Sequence, residues 1–123
     1  MTTIKSYTDI SQSKKLAEIL PLESADMIWA LANPDLPMIK AIAYQDSDKD
    51  NKYYEILPAW SLAALEHLIW NTNVDAVSCP HIYKDRIANK YYFLYGNYET
   101  NTYPYIVDAC YEMIIKLHEL NLL

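Results

Sequence analysis

The residue types best suited to covalent chemistry stand close together in the segment SCPHIY, where Cys79 and His81 lie two positions apart. On a β-strand this spacing places both side chains on one face, where a histidine can accept the thiol proton and leave a nucleophilic thiolate. His67 is a second candidate partner for Cys79. We therefore keep a small hydrolase that uses Cys79 with a nearby histidine as an alternative function. No third group that would orient the histidine stands out, so no catalytic residue is assigned.

The other cysteine, Cys110, offers weaker chemistry. His118 lies eight residues further along the same predicted helix, and this separation corresponds to about 12 Å of axial rise. Cys110 also falls on the apolar stripe of that helix, where a small buried thiol is ordinary. A zinc site requires about four ligands, and Cys79 with His81 would need Cys110 and a further histidine to complete one. We predict neither a metal site nor a cofactor.

A run of alternating carboxylates, Asp46, Asp48 and Asp50, is similar to the opening of a calcium-binding loop. The pattern then fails, because Asn51 stands where such a loop requires glycine and Leu57 stands where it requires a bidentate glutamate. Aspartate and asparagine also favour turns. The segment therefore predicts a solvated connection between two strands.

The composition excludes several classes of binding protein. The 123-residue chain contains one glycine, Gly96, whereas loops that cradle phosphate groups need several. Ten basic residues against sixteen acidic ones give a net charge of −6, which opposes binding to duplex nucleic acid or to an anionic membrane. Basic residues lie among tyrosines at Lys84, Arg86 and Lys90, as they do in proteins that bind single-stranded nucleic acid. Three basic residues in an acidic chain are too few to indicate such binding. We predict no nucleic-acid partner and no membrane partner.

The sequence carries no targeting feature. Its amino terminus lacks the apolar run of a secretory leader, and no stretch approaches the length of a membrane span. Two cysteines form no disulfide framework. We expect a cytoplasmic protein.

Hydrophobic periodicity predicts three helices and about five strands. The N-terminal helix begins at a capping box formed by Asp9 and Gln12 and ends at Pro21. The central helix is predicted from Pro58, and the C-terminal helix from Pro104. Strands are predicted at residues 25–32, 38–45, 52–57, 77–84 and 90–98. The order indicates one α+β domain over residues 1–123, with a mainly antiparallel sheet and helices packed mostly on one face.

The segment KYYFLYGNYETNTYPYI, residues 90–106, contains six of the twelve tyrosines. Strand alternation over residues 90–98 predicts two faces. One carries Tyr91, Phe93 and Tyr95, and the other carries Tyr92, Leu94 and Tyr98. A tight turn at the Gly96–Asn97 pair would instead split this strand.

Two hypotheses for the tyrosines remain open. They can pack against neighbouring strands, as aromatic residues in sheets do, or one set can form a contact surface for a ligand or partner. Tyr92, Tyr95 and Tyr98 are the candidate contact residues.

Three segments, SKKLAEILPLESADM, PAWSLAAL and DACYEMIIKLHELNLL, together resemble a family of small proteins of gut bacteria of the Bacteroides group. Members of that family are often encoded near phage-like or mobile elements. The resemblance covers about half of the chain and mainly omits the tyrosine-rich segment. It implies a bacterial cytoplasmic accessory protein and assigns no activity or site residue.

An amphipathic aromatic surface without a catalytic set favours a binding function. We predict a non-enzymatic module that contacts a protein or ligand within a bacterial or phage-related accessory system. The protein contact can be to a different chain, as for an immunity-like or regulatory protein, or to a second copy in a homodimer.

Overall fold

The computed structural model describes residues 5–32, 35–44, 55–72 and 78–123, and this part of the chain contains three α-helices and six strands. The predicted α+β class is confirmed. The helices are α1 (Ile10–Ile19), α2 (Leu62–Trp70) and α3 (Ile106–Glu119). The strands are β1 (Met27–Ala30), β2 (Met38–Lys40), β3 (Ile56–Ala59), β4 (His81–Asp85), β5 (Lys90–Tyr95) and β6 (Tyr98–Glu99).

The strands form two antiparallel sheets of three strands, in the orders β2-β1-β3 and β4-β5-β6. The prediction of one sheet of about five strands, with helices on one of its faces, is therefore wrong. Alternation of side chains identifies a strand, but it does not specify which strand pairs with which. The chain groups into two compact units, residues 7–64 and residues 65–123, and Lys5 and Ser6 belong with the second.

In the unit of residues 7–64, the predicted capping box begins α1. The Asp9 carboxylate accepts the Gln12 backbone N–H at 2.7 Å, and the Gln12 side chain accepts the Asp9 N–H at 3.1 Å. These two bonds satisfy donors that the first helical turn leaves without partners. Leu16 and Leu20 are buried, and Pro21 follows the helix as predicted.

The central helix begins later than predicted. Pro58 lies within β3 and pairs with Ile28, and α2 starts at Leu62. β3 is an edge strand, where a residue without a backbone N–H is tolerated. Ser61 begins the helix: its hydroxyl accepts the Ala64 N–H at 3.2 Å, and Asp26 accepts the Ser61 N–H at 2.8 Å.

The other strands of this unit are shorter than predicted. The first two span Met27–Ala30 and Met38–Lys40 instead of residues 25–32 and 38–45. The predicted third strand at 52–57 overlaps β3 only at residues 56–57, and residues 52–54 lie outside the described part of the chain.

In the unit of residues 65–123, α3 packs on β5 of the second sheet. The helix begins at Ile106, two residues after Pro104, and its buried side chains are Val107, Ala109, Cys110, Met113, Ile114 and Leu117. Phe93 and Tyr95 of β5 are buried as well. Within the described ranges, no helix is both long and apolar enough to cross a membrane.

Candidate functional site

The pairing of β4 with β5 sorts their side chains onto two faces. His81 lies opposite Leu94, and Tyr83 lies opposite Tyr92. Directly opposed residues of an antiparallel pair project to the same side, so these four share one face, which we call the outward face. None of the four is buried. The other face, which we call the helix-side face, carries Phe93.

The outward face presents a ladder of aromatic rings. Tyr83 and Tyr92 stack across the strands with ring centroids 5.4 Å apart and an interplanar angle of 18°. His81 lies beside Tyr83, with centroids 6.0 Å apart and a tilt of 48°. Stacking of this kind is worth about 0.5–1.5 kcal/mol beyond burial. Tyr83 is 41% exposed and His81 is exposed, whereas Tyr92 is half-buried, so the stacked rings remain partly accessible.

The three candidate tyrosines do not share a face. Gly96, at φ 61°, and Asn97 form the tight turn that was the alternative prediction, so Tyr95 lies directly opposite Tyr98. The turn interrupts the alternation, and Tyr98 therefore shares the helix-side face with Tyr95, in contrast to the uninterrupted-strand prediction. Of the three candidates, Tyr92 alone projects to the outward face.

Tyr95 belongs to the core. It is 2% exposed, and its hydroxyl donates to the Thr72 carbonyl oxygen at 2.8 Å. Tyr98 is half-buried. The substitution of either residue would therefore disturb packing on the helix side rather than the aromatic ladder.

An open depression of about 270 Å³ adjoins the end of the outward face. It is lined by Ser78, Cys79, His81, Leu94 and Gly96. Cys79 is exposed, so its thiol is accessible there. The structure thus brings Cys79 and His81 to one depression, as the hydrolase alternative requires, although no carboxylate is among these lining residues.

The remaining histidines and the second cysteine lie elsewhere. His67 is exposed on α2 and its Nε2 is 3.0 Å from the Asn71 amide nitrogen, and it is not among the residues that line the depression. Cys110 is fully buried, and burial, with a smaller contribution from Glu66, raises the pKa of its thiol to about 12. A thiol with such a pKa is not a nucleophile at neutral pH. The Nδ1 atom of His118 is buried without a hydrogen-bond partner among the described residues.

No group of three or more histidine, cysteine, aspartate or glutamate side chains suited to a metal ion occurs in the described ranges. The predicted turn segment with Asp46, Asp48 and Asp50 lies outside them.

One polar cluster was missed by the sequence analysis. The Glu112 carboxylate accepts the Tyr103 hydroxyl at 2.5 Å and the backbone N–H of Asn101 at 3.0 Å. Burial, followed by the hydrogen bond to Glu112, raises the pKa of Tyr103 to about 12. Lys116, four residues after Glu112 on α3, also pairs with its carboxylate, with Nζ 3.8 Å away. The cluster attaches the segment after β6 to α3.

The sequence analysis did not assign His81 and Tyr83 to a contact surface. A hairpin with its turn at residues 86–89 pairs Tyr83 with Tyr92, so recognition of that turn would have identified the aromatic pair.

Comparisons with known proteins give no match to this chain among family models, curated proteins or solved structures. The resemblance to the Bacteroides-group family stays a prediction. The aromatic ladder and the depression beside it are the features of this chain that bear on its function.

Proposed function

We propose that the protein is a non-enzymatic interaction module and that the outward face of β4 and β5 is its contact surface. The observation that supports this proposal is the ladder of His81, Tyr83 and Tyr92, which is ordered by stacking and is not buried. The opposite side of the same sheet is occupied by α3. The solvent-facing side of such a sheet is commonly polar, and here it carries three aromatic rings beside Asp85 and Lys90.

Stacked tyrosines suit protein recognition for an energetic reason. A tyrosine buries a large amphipathic surface on binding while it loses few rotamers. Mutual stacking of Tyr83 and Tyr92 already restricts both rings before a partner binds, so less conformational entropy is lost on association. Residues of this kind supply most of the free energy in many interfaces.

The partner that we propose is a protein. A bacterial or phage-related accessory system in the cytoplasm is the setting that the family resemblance implies. A second copy of the chain is the alternative occupant of the outward face, and a small ligand in the depression lined by Cys79 and His81 is another.

Affinity capture from cells of the source organism, quantified by mass spectrometry, tests this proposal. The test variant is Tyr83→Ala with Tyr92→Ala, which removes the stack. The matched control is Tyr91→Ala, a half-buried tyrosine of the same strand on the helix-side face. We expect one stoichiometric partner with the wild type and with the control, and its loss with the double variant. Recovery of the same partner with all three proteins would refute the proposal.

The alternative function, a hydrolase that uses Cys79, is favoured by one observation: Cys79 and His81 line the same depression. A cysteine that a histidine activates reacts rapidly with iodoacetamide at neutral pH, and the rate of this reaction falls when the histidine is replaced. His81→Gln should lower the rate of Cys79 alkylation if this function is correct, and His67→Gln serves as the control. An ordinary thiol rate that neither substitution changes would exclude the alternative.

A further inference from the structure

The β4–β5 hairpin ends in a turn that presents an apolar side chain to solvent. Ile87 is 100% exposed within this hairpin tip, residues 86–89. Turns favour glycine, asparagine, aspartate and serine, and isoleucine contributes nothing to turn geometry. A single exposed apolar residue is ordinary on a protein surface, so the surroundings of Ile87 decide whether it has a role.

The first relevant feature of these surroundings is that hydrogen bonds to the backbone hold the hairpin tip in place. The Asp85 carboxylate accepts the Ile87 N–H at 3.0 Å and the Ala88 N–H at 3.2 Å. Asn89 adopts φ 54°, a left-handed conformation that asparagine tolerates. The turn is therefore ordered by its own side chains, and a partner that binds Ile87 need not order it.

The second relevant feature of the surroundings of Ile87 is a local excess of positive charge. Lys84, Arg86 and Lys90 against Asp85 give the hairpin, residues 81–95, a net charge of +2, although the whole chain carries −6. Arg86 is the only arginine of the chain. In the part of the chain that the structure describes, Arg86 and Lys90 form no ion pair. These two cations flank Ile87 and remain available to an acidic group.

We infer that the hairpin tip packs Ile87 against apolar side chains of a partner-protein segment that is rich in aspartate and glutamate, where Arg86 and Lys90 pair with carboxylates. This inference rests on the proposed function and specifies the chemistry of the partner. By register Lys90 lies opposite Asp85 and shares the outward face with Tyr83 and Tyr92. Lys90 therefore adjoins both the hairpin tip and the aromatic ladder.

The charge distribution favours a protein over a membrane or a nucleic acid. Outside the hairpin the chain carries −8, which repels an extended phosphate surface. Membrane anchoring also needs more apolar area than one isoleucine. An acidic segment of a protein is local, and salt screens its repulsion from the rest of this acidic chain beyond about 8 Å.

Arrays of short synthetic peptides provide the test, with labelled full-length protein as the probe. One series combines apolar residues with aspartate and glutamate, a second combines them with lysine and arginine, and a third combines them with serine and asparagine. We expect preferential retention on the acidic series. Ile87→Ser should weaken that retention about tenfold. Arg86→Glu with Lys90→Glu should transfer the preference to the basic series.

A charge-matched control is Lys14→Glu with Lys40→Glu, two exposed lysines outside the hairpin, and it should leave the preference unchanged. Equal retention on the three series, retention on none, or no effect of Ile87→Ser would overturn the inference. Stronger binding to phosphatidylserine vesicles or to a single-stranded oligonucleotide would overturn it as well.

Capture of the partner by the two sets of variants distinguishes this inference from the proposed function. Loss of capture with Tyr83→Ala and Tyr92→Ala, but not with Ile87→Ser, leaves the proposed function standing and removes the role of the tip. Loss with Ile87→Ser as well supports both.

Discussion

Tyr91 and Tyr92 are neighbours on β5, yet they belong to two different environments. Tyr91 lies on the helix-side face. Phe93, the next residue of β5 on that face, is 1% exposed, and α3 packs on this strand. Tyr92 lies on the outward face and stacks on Tyr83, which is 41% exposed. The two faces have similar side chains but different surroundings. Aromatic content alone therefore does not distinguish a core from a contact surface, whereas strand register and the position of the helix do.

The largest difference between the faces should appear in stability. Phe93→Ala removes a ring that is buried in the core and should lower the free energy of unfolding by about 3–5 kcal/mol. Tyr92→Ala removes a half-buried ring and its stack, which is worth about 0.5–1.5 kcal/mol beyond burial, and should lower it by less than Phe93→Ala does. Urea unfolding followed by circular dichroism measures both. Equal losses would show that the outward face is packed as tightly as the core.

The next largest loss of stability should come from the bonds that attach α3 to the segment after β6. Glu112→Ala leaves the Tyr103 hydroxyl and the Asn101 N–H without their acceptor, which should cost about 1–3 kcal/mol of unfolding free energy. Glu112→Gln keeps an acceptor oxygen and serves as the matched control with a smaller loss. Urea midpoints of the two variants test the ranking, and identical midpoints would contradict it.

Alkaline pH should lower the stability of the folded protein. The pKa values of Cys110 and Tyr103 are raised from 9.0 and 10.0 to about 12 in the folded protein. Above pH 9 the unfolded chain therefore loses protons that the folded chain retains, so stability falls as pH rises toward 12. Cys110→Ala and Tyr103→Phe should each make this fall shallower, whatever their effect at neutral pH. Thermal melts across the pH range test this, and unchanged slopes would contradict the raised pKa values.

The smallest effect on stability should come from the thiol beside the outward face. Cys79→Ser should change the unfolding free energy by less than about 0.5 kcal/mol, because Cys79 is exposed. In the folded wild type, a thiol reagent should modify Cys79 and leave the buried Cys110 unmodified. Mass spectrometry of the labelled protein counts the adducts. Two adducts without denaturant would show that the core around Cys110 opens readily.

The sequence predicted local features well because they depend on neighbouring residues. The capping box of Asp9 and Gln12, and alternation from Tyr91 to Tyr95, involve residues within a few positions of each other, and both are present. The turn between β4 and β5 lies between the strands predicted at residues 77–84 and 90–98.

Features that depend on strand pairing were not predictable in the same way. The partition into two sheets depends on which strands meet, and Pro58 is accommodated in β3 because that strand lies at an edge. The face of Tyr98 depends on whether Gly96 and Asn97 form a turn, since the turn brings Tyr98 opposite Tyr95. The contact surface changes accordingly, from three tyrosines on β5 and β6 to a ladder shared by β4 and β5.

Site-specific photo-crosslinking would show whether the outward face is the contact surface. The photoreactive residue p-benzoylphenylalanine would replace Tyr92 in one protein and Tyr91 in another, each expressed in the source organism and irradiated there. We expect crosslinks to a partner protein from position 92 and none from position 91, because these adjacent side chains project to opposite faces. Crosslinks from position 91 alone, or equally from both positions, would contradict it.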